Sequence, residues 1–165
     1  MKGSIVFDGD MDIETVSKLI NEIDSKLKEY EQIRLFFSSG GGECKYADIL
    51  TNYLIEHKDK IELIGFGTLG SSGFDVFDYY LGKKSLSNFV ILMLHLTDVS
   101  QSYVDSKILN SQYSKDMDED MKNIHRVNID RYKQIGVSKK HLKRIKKGED
   151  VWLFPQDIAK LDILK

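Results

Sequence analysis

The sequence predicts an α/β fold with a layered, parallel sheet. Three observations carry this: short apolar runs alternate with helical patterns over the first 95 residues, glycine-rich turns follow the apolar runs, and no Pro/Ser-rich stretch or charge block divides the 165 residues. Strands separated by helices pair in parallel and need helical cover. One domain, 1–165, with a single core is therefore expected.

The elements follow in order. "SIVF" reads as a short strand, and Ile13, Val16, Leu19, Ile20, Ile23, Leu27 and Tyr30 then recur at helical spacing, with Asp10 or Asp12 placed to cap the helix start. "IRLFF" (33–37) is unbroken in its apolar character and reads as a buried strand, and "SSGGGE" after it is rich enough in glycine to need unusual dihedrals. Tyr46, Ile49, Leu50, Tyr53 and Leu54 mark a second helix. The cycle repeats with strand "IELIGF" (61–66), the turn "GTLGSSG", a short helix through Phe74, Phe77, Tyr80 and Leu81, and strand "FVILML" (89–94) ending at His95. From about 100 to 135 the chain is polar, with Met117, Met121, Ile124, Val127, Arg131 and Ile135 along one side of a long helix that either protrudes or packs on another subunit. Ser138 then caps "KKHLKRIKKG", Gly148 stops it, "VWLF" is a short strand, Pro155 opens a last helical turn and "DIL" closes the chain.

Composition excludes several classes. A net charge of −2 with 41% hydrophobic and 30% charged residues lacks the basic excess of a nucleic-acid binder, and the basic cluster at 139–147 reads as a solvated helix face. A single cysteine, Cys44, rules out an intrachain disulfide. The longest apolar run is six residues, far short of a membrane span, and no signal-peptide core is visible, so a cytoplasmic protein without membrane attachment is expected.

Ligands of such folds gather at the carboxyl ends of the strands, where both glycine turns and His95 lie. "GFGTLG" (65–70) matches a dinucleotide fingerprint, but it is not the first turn of the chain and the next strand ends in "LMLH" where an acid is wanted. The hydrolase elbow G-x-S-x-G fails in register for both Ser71 and Ser72. A serine at a helix start still acts as a nucleophile when a base reaches its oxygen and amides await the oxyanion. His57, His125 and His141 read as surface residues, whereas His95 ends an apolar strand and is either a core residue or that base. No histidine pair has metal-ligand spacing, Cys44 has no sulfur partner, and neither metal nor cofactor is expected. Cys44 as a nucleophile is the lesser alternative to a small buried cysteine.

"IRLFFSSGGGECKYADIL", "GFGTLGSSGFDVFDYYLGKKSLSNFVILMLH" and "GEDVWLFPQDIAKLDIL" together resemble the Clp protease proteolytic subunit (ClpP) family: its Ser-Pro-Gly-Gly turn, its Ser-x-Gly nucleophile segment leading to the catalytic histidine, and its C-terminal segment from the catalytic aspartate to a closing strand. The resemblance runs from about residue 4 to the end, with 98–140 matched only as a long helical region. It implies a ClpP/crotonase-like α/β fold of repeated ββα layers with a long protruding helix. It also implies a serine peptidase acting on peptides or unfolded proteins through an acyl-enzyme, as a ring homo-oligomer. Carried over by position, Ser71 is the nucleophile, His95, 24 residues later, the general base, and Asp150 its orienting acid. The Ser72 amide, with that of Gly41 or Gly42, would form the oxyanion hole.

Three departures accompany the resemblance. Gly40 replaces the family's proline, and Asp75 and Asp78 stand on a helix that in the family is largely apolar and small, where a carboxylate favours imidazolium over the neutral base. The segment that contacts an ATPase unfoldase in relatives is not seen ahead of the first strand, so such a partner is not implied. The alternatives are a weak or inactive ClpP-like assembly or binding subunit, and a crotonase-type acyl-CoA enzyme, for which no basic site for a nucleotide phosphate is visible.

Overall fold

The computed structural model describes residues 1–97 and 111–164, which form two compact units. The first comprises Met1–Leu94 with Trp152–Lys165, the second His95–Val151.

The first unit is an α/β sheet unit. Its strands are β1 (Lys2–Asp8), β2 (Gln32–Ser39), β3 (Ile61–Gly70) and β4 (Lys84–Leu94), and β5 (Val151–Leu153) completes a sheet of order β1-β2-β3-β4-β5. The pairings from β1 to β4 are all parallel. Between them run α1 (Ile13–Glu29), α2 (Cys44–Glu56) and α3 (Ser72–Tyr79), and α6 (Pro155–Ile158) follows β5. Parallel neighbours taken in chain order, each joined by a right-handed crossover, place successive helices on the same face of the sheet. Burial shows the consequence. Ile5, Phe7, Ile33, Leu35, Phe37, Ile61 and Leu63 are buried, and the Phe7 and Phe37 rings stack 5.4 Å apart.

The alternate residues tell a different story from the sequence reading of a fully buried second strand. Arg34 is exposed and Phe36 half-buried, because within this unit the helices cover one face only. Val6, Phe36 and Ile64 stand side by side in register on the other face, and Val6 is 69% exposed.

Local chemistry sets the helix ends as the sequence suggests. The Asp12 carboxylate accepts from the Thr15 amide at 2.8 Å, which selects Asp12 over Asp10 as the cap of α1. Lys84 donates to the carbonyls of Phe77 and Asp78 at the end of α3, where a cation complements the helix dipole. Ile13, Ile49 and Leu81, which the helical spacing assigned to core faces, are exposed, and Tyr80 is buried with its hydroxyl donating to the Ile61 carbonyl at 2.6 Å.

The third strand runs four residues past its sequence-predicted end. Gly67 adopts φ +57° and the register of β3 against β4 shifts between Gly65 and Gly67. That bulge lets pairing resume from Gly67 to Gly70. "GFGTLG" is therefore strand and not a phosphate-cradling turn, which removes the dinucleotide fingerprint.

The second unit contains α4 (Ser111–Gln134) and α5 (Lys139–Ile145). Residues 100–110 of the expected long helix lie outside the described residues, as does the side chain of Met117. Ile129, Tyr132 and Ile135 are buried, whereas Ile124 and Val127 are exposed. Ser138 caps α5 by accepting from the His141 amide; the helix ends at Ile145 with Lys146 as its C-cap, earlier than the expected stop at Gly148, which lies in the following turn at φ +80°. Near the C-terminus, Asp162–Leu164 form no strand, unlike the closing strand that the resemblance implied. Among the described residues no helix is long and apolar enough to cross a membrane.

Candidate active site

Ser71 joins β3 to α3, and its backbone is the decisive local feature. At φ 51° and ψ −130° it is the one non-glycine residue with positive φ among the described residues. A side chain held there costs about 1–3 kcal/mol, so surrounding structure must impose it. It does. The Ser71 amide donates to the Met93 carbonyl at 3.0 Å, and the Ser71 carbonyl accepts from the amides of Phe74 and Asp75 in the first turn of α3. The Ser71 side chain makes no capping bond to the helix, so its hydroxyl is not committed to that task.

Ser72 has the opposite fate. It is 2% exposed, and its hydroxyl donates to the Gly42 carbonyl at 3.1 Å. It thereby clasps the glycine turn to α3. As the first residue of that helix its amide has no intrahelical acceptor, which leaves the donor pointed out of the helix start.

The glycine turn lies directly against Ser71. Gly41 has φ +111° and Gly42 φ +141°; a Cβ on Gly41 would fall 2.6 Å from Ser71 Cβ and 3.2 Å from Ser71 Oγ. The Gly41 carbonyl accepts from the Met11 amide at 2.8 Å, and the buried Met11 carbonyl accepts from the Glu43 amide. The Gly41 amide donates to the Ser39 hydroxyl at 3.1 Å. Of the two glycines named as oxyanion donors, Gly41 is thus engaged internally, while Gly42 is exposed. Gly73 is tied to the same hub, since a Cβ there would meet Ser39 at 2.7 Å.

Asp75 sits one turn along α3. Burial, then the carboxylates of Asp78 and Asp48, push its carboxyl up to about 7. It is therefore partly neutral near physiological pH, which weakens the charge expected beside Ser71. Cys44 is exposed and not the small buried cysteine that the sequence suggested, and desolvation, followed by Asp75 and Asp48, pushes its thiol up, the wrong direction for a nucleophile.

The remaining residues belong to the second unit. His95 Nδ1 stands 3.5 Å from Asp150 Oδ1, with the two side chains 27% and 59% exposed. That separation exceeds a good hydrogen bond, and catalytic contacts often tighten only when substrate binds. The Tyr132 hydroxyl donates to the His95 carbonyl at 3.0 Å and fixes its backbone. Sequence reasoning missed Tyr132, although a tyrosine on the buried stripe of a helix commonly carries its hydroxyl to a partner. His125, read as a surface residue, is half-buried and its Nε2 lies 2.9 Å from the Thr97 carbonyl. Asn128 accepts from the Thr97 hydroxyl at 3.0 Å.

The sequence-predicted residues thus form two groups, Ser71–Ser72–Gly41–Gly42 in one unit and His95–Asp150 in the other. Among the described residues, no group of three or more histidine, cysteine, aspartate or glutamate side chains is arranged to hold a metal ion. No protein-family model matches the chain, and no curated protein matches its sequence.

Proposed function

We propose that the chain is a ClpP-like serine peptidase that cleaves peptides or unfolded proteins through an acyl-enzyme, as a cytoplasmic ring homo-oligomer. The observation that carries this reading is the positive φ of Ser71, a strained serine at a strand-to-helix turn against a glycine loop. Ser71 Oγ attacks the scissile carbonyl while His95 takes its proton and returns it to the leaving amine. Asp150 holds the imidazole tautomer and stabilises the imidazolium. The amides of Ser72 and Gly42 bind the oxyanion, a role in which one donor contributes ~2.7–4 kcal/mol. Exposed Val6 with Phe36 and Ile64 on the open sheet face, and the long polar helix α4, supply surface for subunit contact.

One observation favours the second reading, a weak or inactive assembly subunit. The Gly41 amide is already bonded to Ser39, which narrows the set of oxyanion donors.

A fluorophosphonate, with the adduct mapped by mass spectrometry, separates the two. Labelling at Ser71 that disappears in Ser71→Ala and in His95→Ala supports the peptidase. An adduct on Ser72 alone, or none in an assembled oligomer, overturns it.

A further inference from the structure

A cavity of about 490 Å³ opens at the amino ends of the parallel strands, the opposite edge of the sheet from Ser71. Its wall includes Lys2, Gln32, Lys58, Lys60, Glu62 and Lys83, brought together from four separate segments. Its volume falls in the range of small-molecule sites. Four lysines face two carboxylates, Asp59 and Glu62, which leaves a surplus of two positive charges.

Glu62 is already occupied. It pairs with Lys83 at 2.8 Å and Lys2 at 3.8 Å, and the Lys83 hydrogen bond holds its carboxyl below the usual range. Lys58 and Lys60 are exposed and have no carboxylate within ion-pair distance among the described residues. Lysines after a helix also complement its dipole, and Lys58 follows α2 closely. That role needs neither a cavity nor the convergence of Lys2 at the start of β1 and Lys83 just before β4.

We infer that this cavity binds a compact, multiply charged phosphate anion of the di- or triphosphate kind. Ammonium groups on several sides suit an anion whose charge is spread over several oxygens, and the Gln32 side-chain amide adds a neutral donor. Such an anion comes either as free inorganic polyphosphate or as the tail of a nucleotide. The sequence conceals the site, because Lys2, Lys58 and Lys83 are far apart in the chain and only the strand order gathers them.

The test is calorimetric titration of the full chain with inorganic tripolyphosphate, and separately with adenosine triphosphate, at low ionic strength. Saturable binding at one site per chain is expected, weakened at least tenfold in Lys58→Ala/Lys60→Ala. The side chains removed are exposed, and the backbone carbonyls of both residues, which accept from Tyr80 and Ile33, remain. Lys139→Ala/Lys140→Ala on α5 removes the same charge from a different element and is expected to bind as the wild type does. Tighter binding of the nucleotide identifies it as the source, and equal binding identifies free polyphosphate. Absence of saturable binding to either anion, or equal weakening in both double variants, overturns the proposal.

Discussion

The turn around Ser71 and the His95–Asp150 pair are held in different ways. The turn is fixed by backbone: three glycines in contact with neighbouring atoms, a buried serine hydroxyl clasping a carbonyl, and amides bonded to Met93 and Met11. The pair is two side chains 3.5 Å apart, one of them more than half exposed. A backbone-built site is specified by what its residues lack, so one added carbon disrupts it. A side-chain pair adjusts through rotamers and tolerates change without loss of fold.

The sharpest way to break this contrast is at two adjacent glycines. Gly41→Ala places a Cβ 2.6 Å from Ser71 Cβ and 2.9 Å from the Gly70 carbonyl at φ +111°. A destabilisation of ~3 kcal/mol is expected from strain and overpacking together. Gly40 has nothing within 4 Å of such a carbon and no positive φ. Gly40→Ala should therefore stabilise by ~0.4–1 kcal/mol through the unfolded chain. Urea midpoints of the two variants on the same side of wild type would show that the turn is not fixed as described.

Asp75 probes the same region at smaller cost. Its folded carboxyl, near 7, lies above the unfolded value of 3.8, so the proton is held more tightly in the folded state. The stability this contributes is fully present below about pH 4 and is lost as pH rises through about 7. Asp75→Asn should remove that slope and stabilise the protein by ~2 kcal/mol at neutral pH. Chemical unfolding at pH 5 and pH 8 checks it; an unchanged slope means that Asp75 is not buried against Asp48 and Asp78.

How much of this was legible in the sequence follows from the same distinction. The strand and helix order was readable because apolar spacing reports it directly, and Asp12, Ser138 and Pro155 mark helix starts through local chemistry. The end of β3 was not, since Gly67 reads as a turn signal and only its pairing with Val90, after the register shift, shows that the strand continues. The open face of β2 was hidden for a related reason: Phe36 is as apolar as Phe37, and strand order decides which of them is covered. At the site, the choice between Ser71 and Ser72 rested on resemblance, whereas φ and burial distinguish them physically. Ser39 and Tyr132 escaped notice because their partners, Gly41 and His95, are defined by folded geometry.

The smallest stability effect belongs to Asp150. An ion pair this exposed and this long contributes little to folding, so Asp150→Asn should move the thermal midpoint by less than the equivalent of ~0.5 kcal/mol. Its effect on chemistry should be large, because an amide facing Nδ1 favours the wrong imidazole tautomer and cannot stabilise the imidazolium. Fluorophosphonate labelling of Ser71 should fall at least tenfold in a variant that melts like the wild type. A fall in stability that matches the fall in labelling would make Asp150 a packing residue and remove it from the proposed triad.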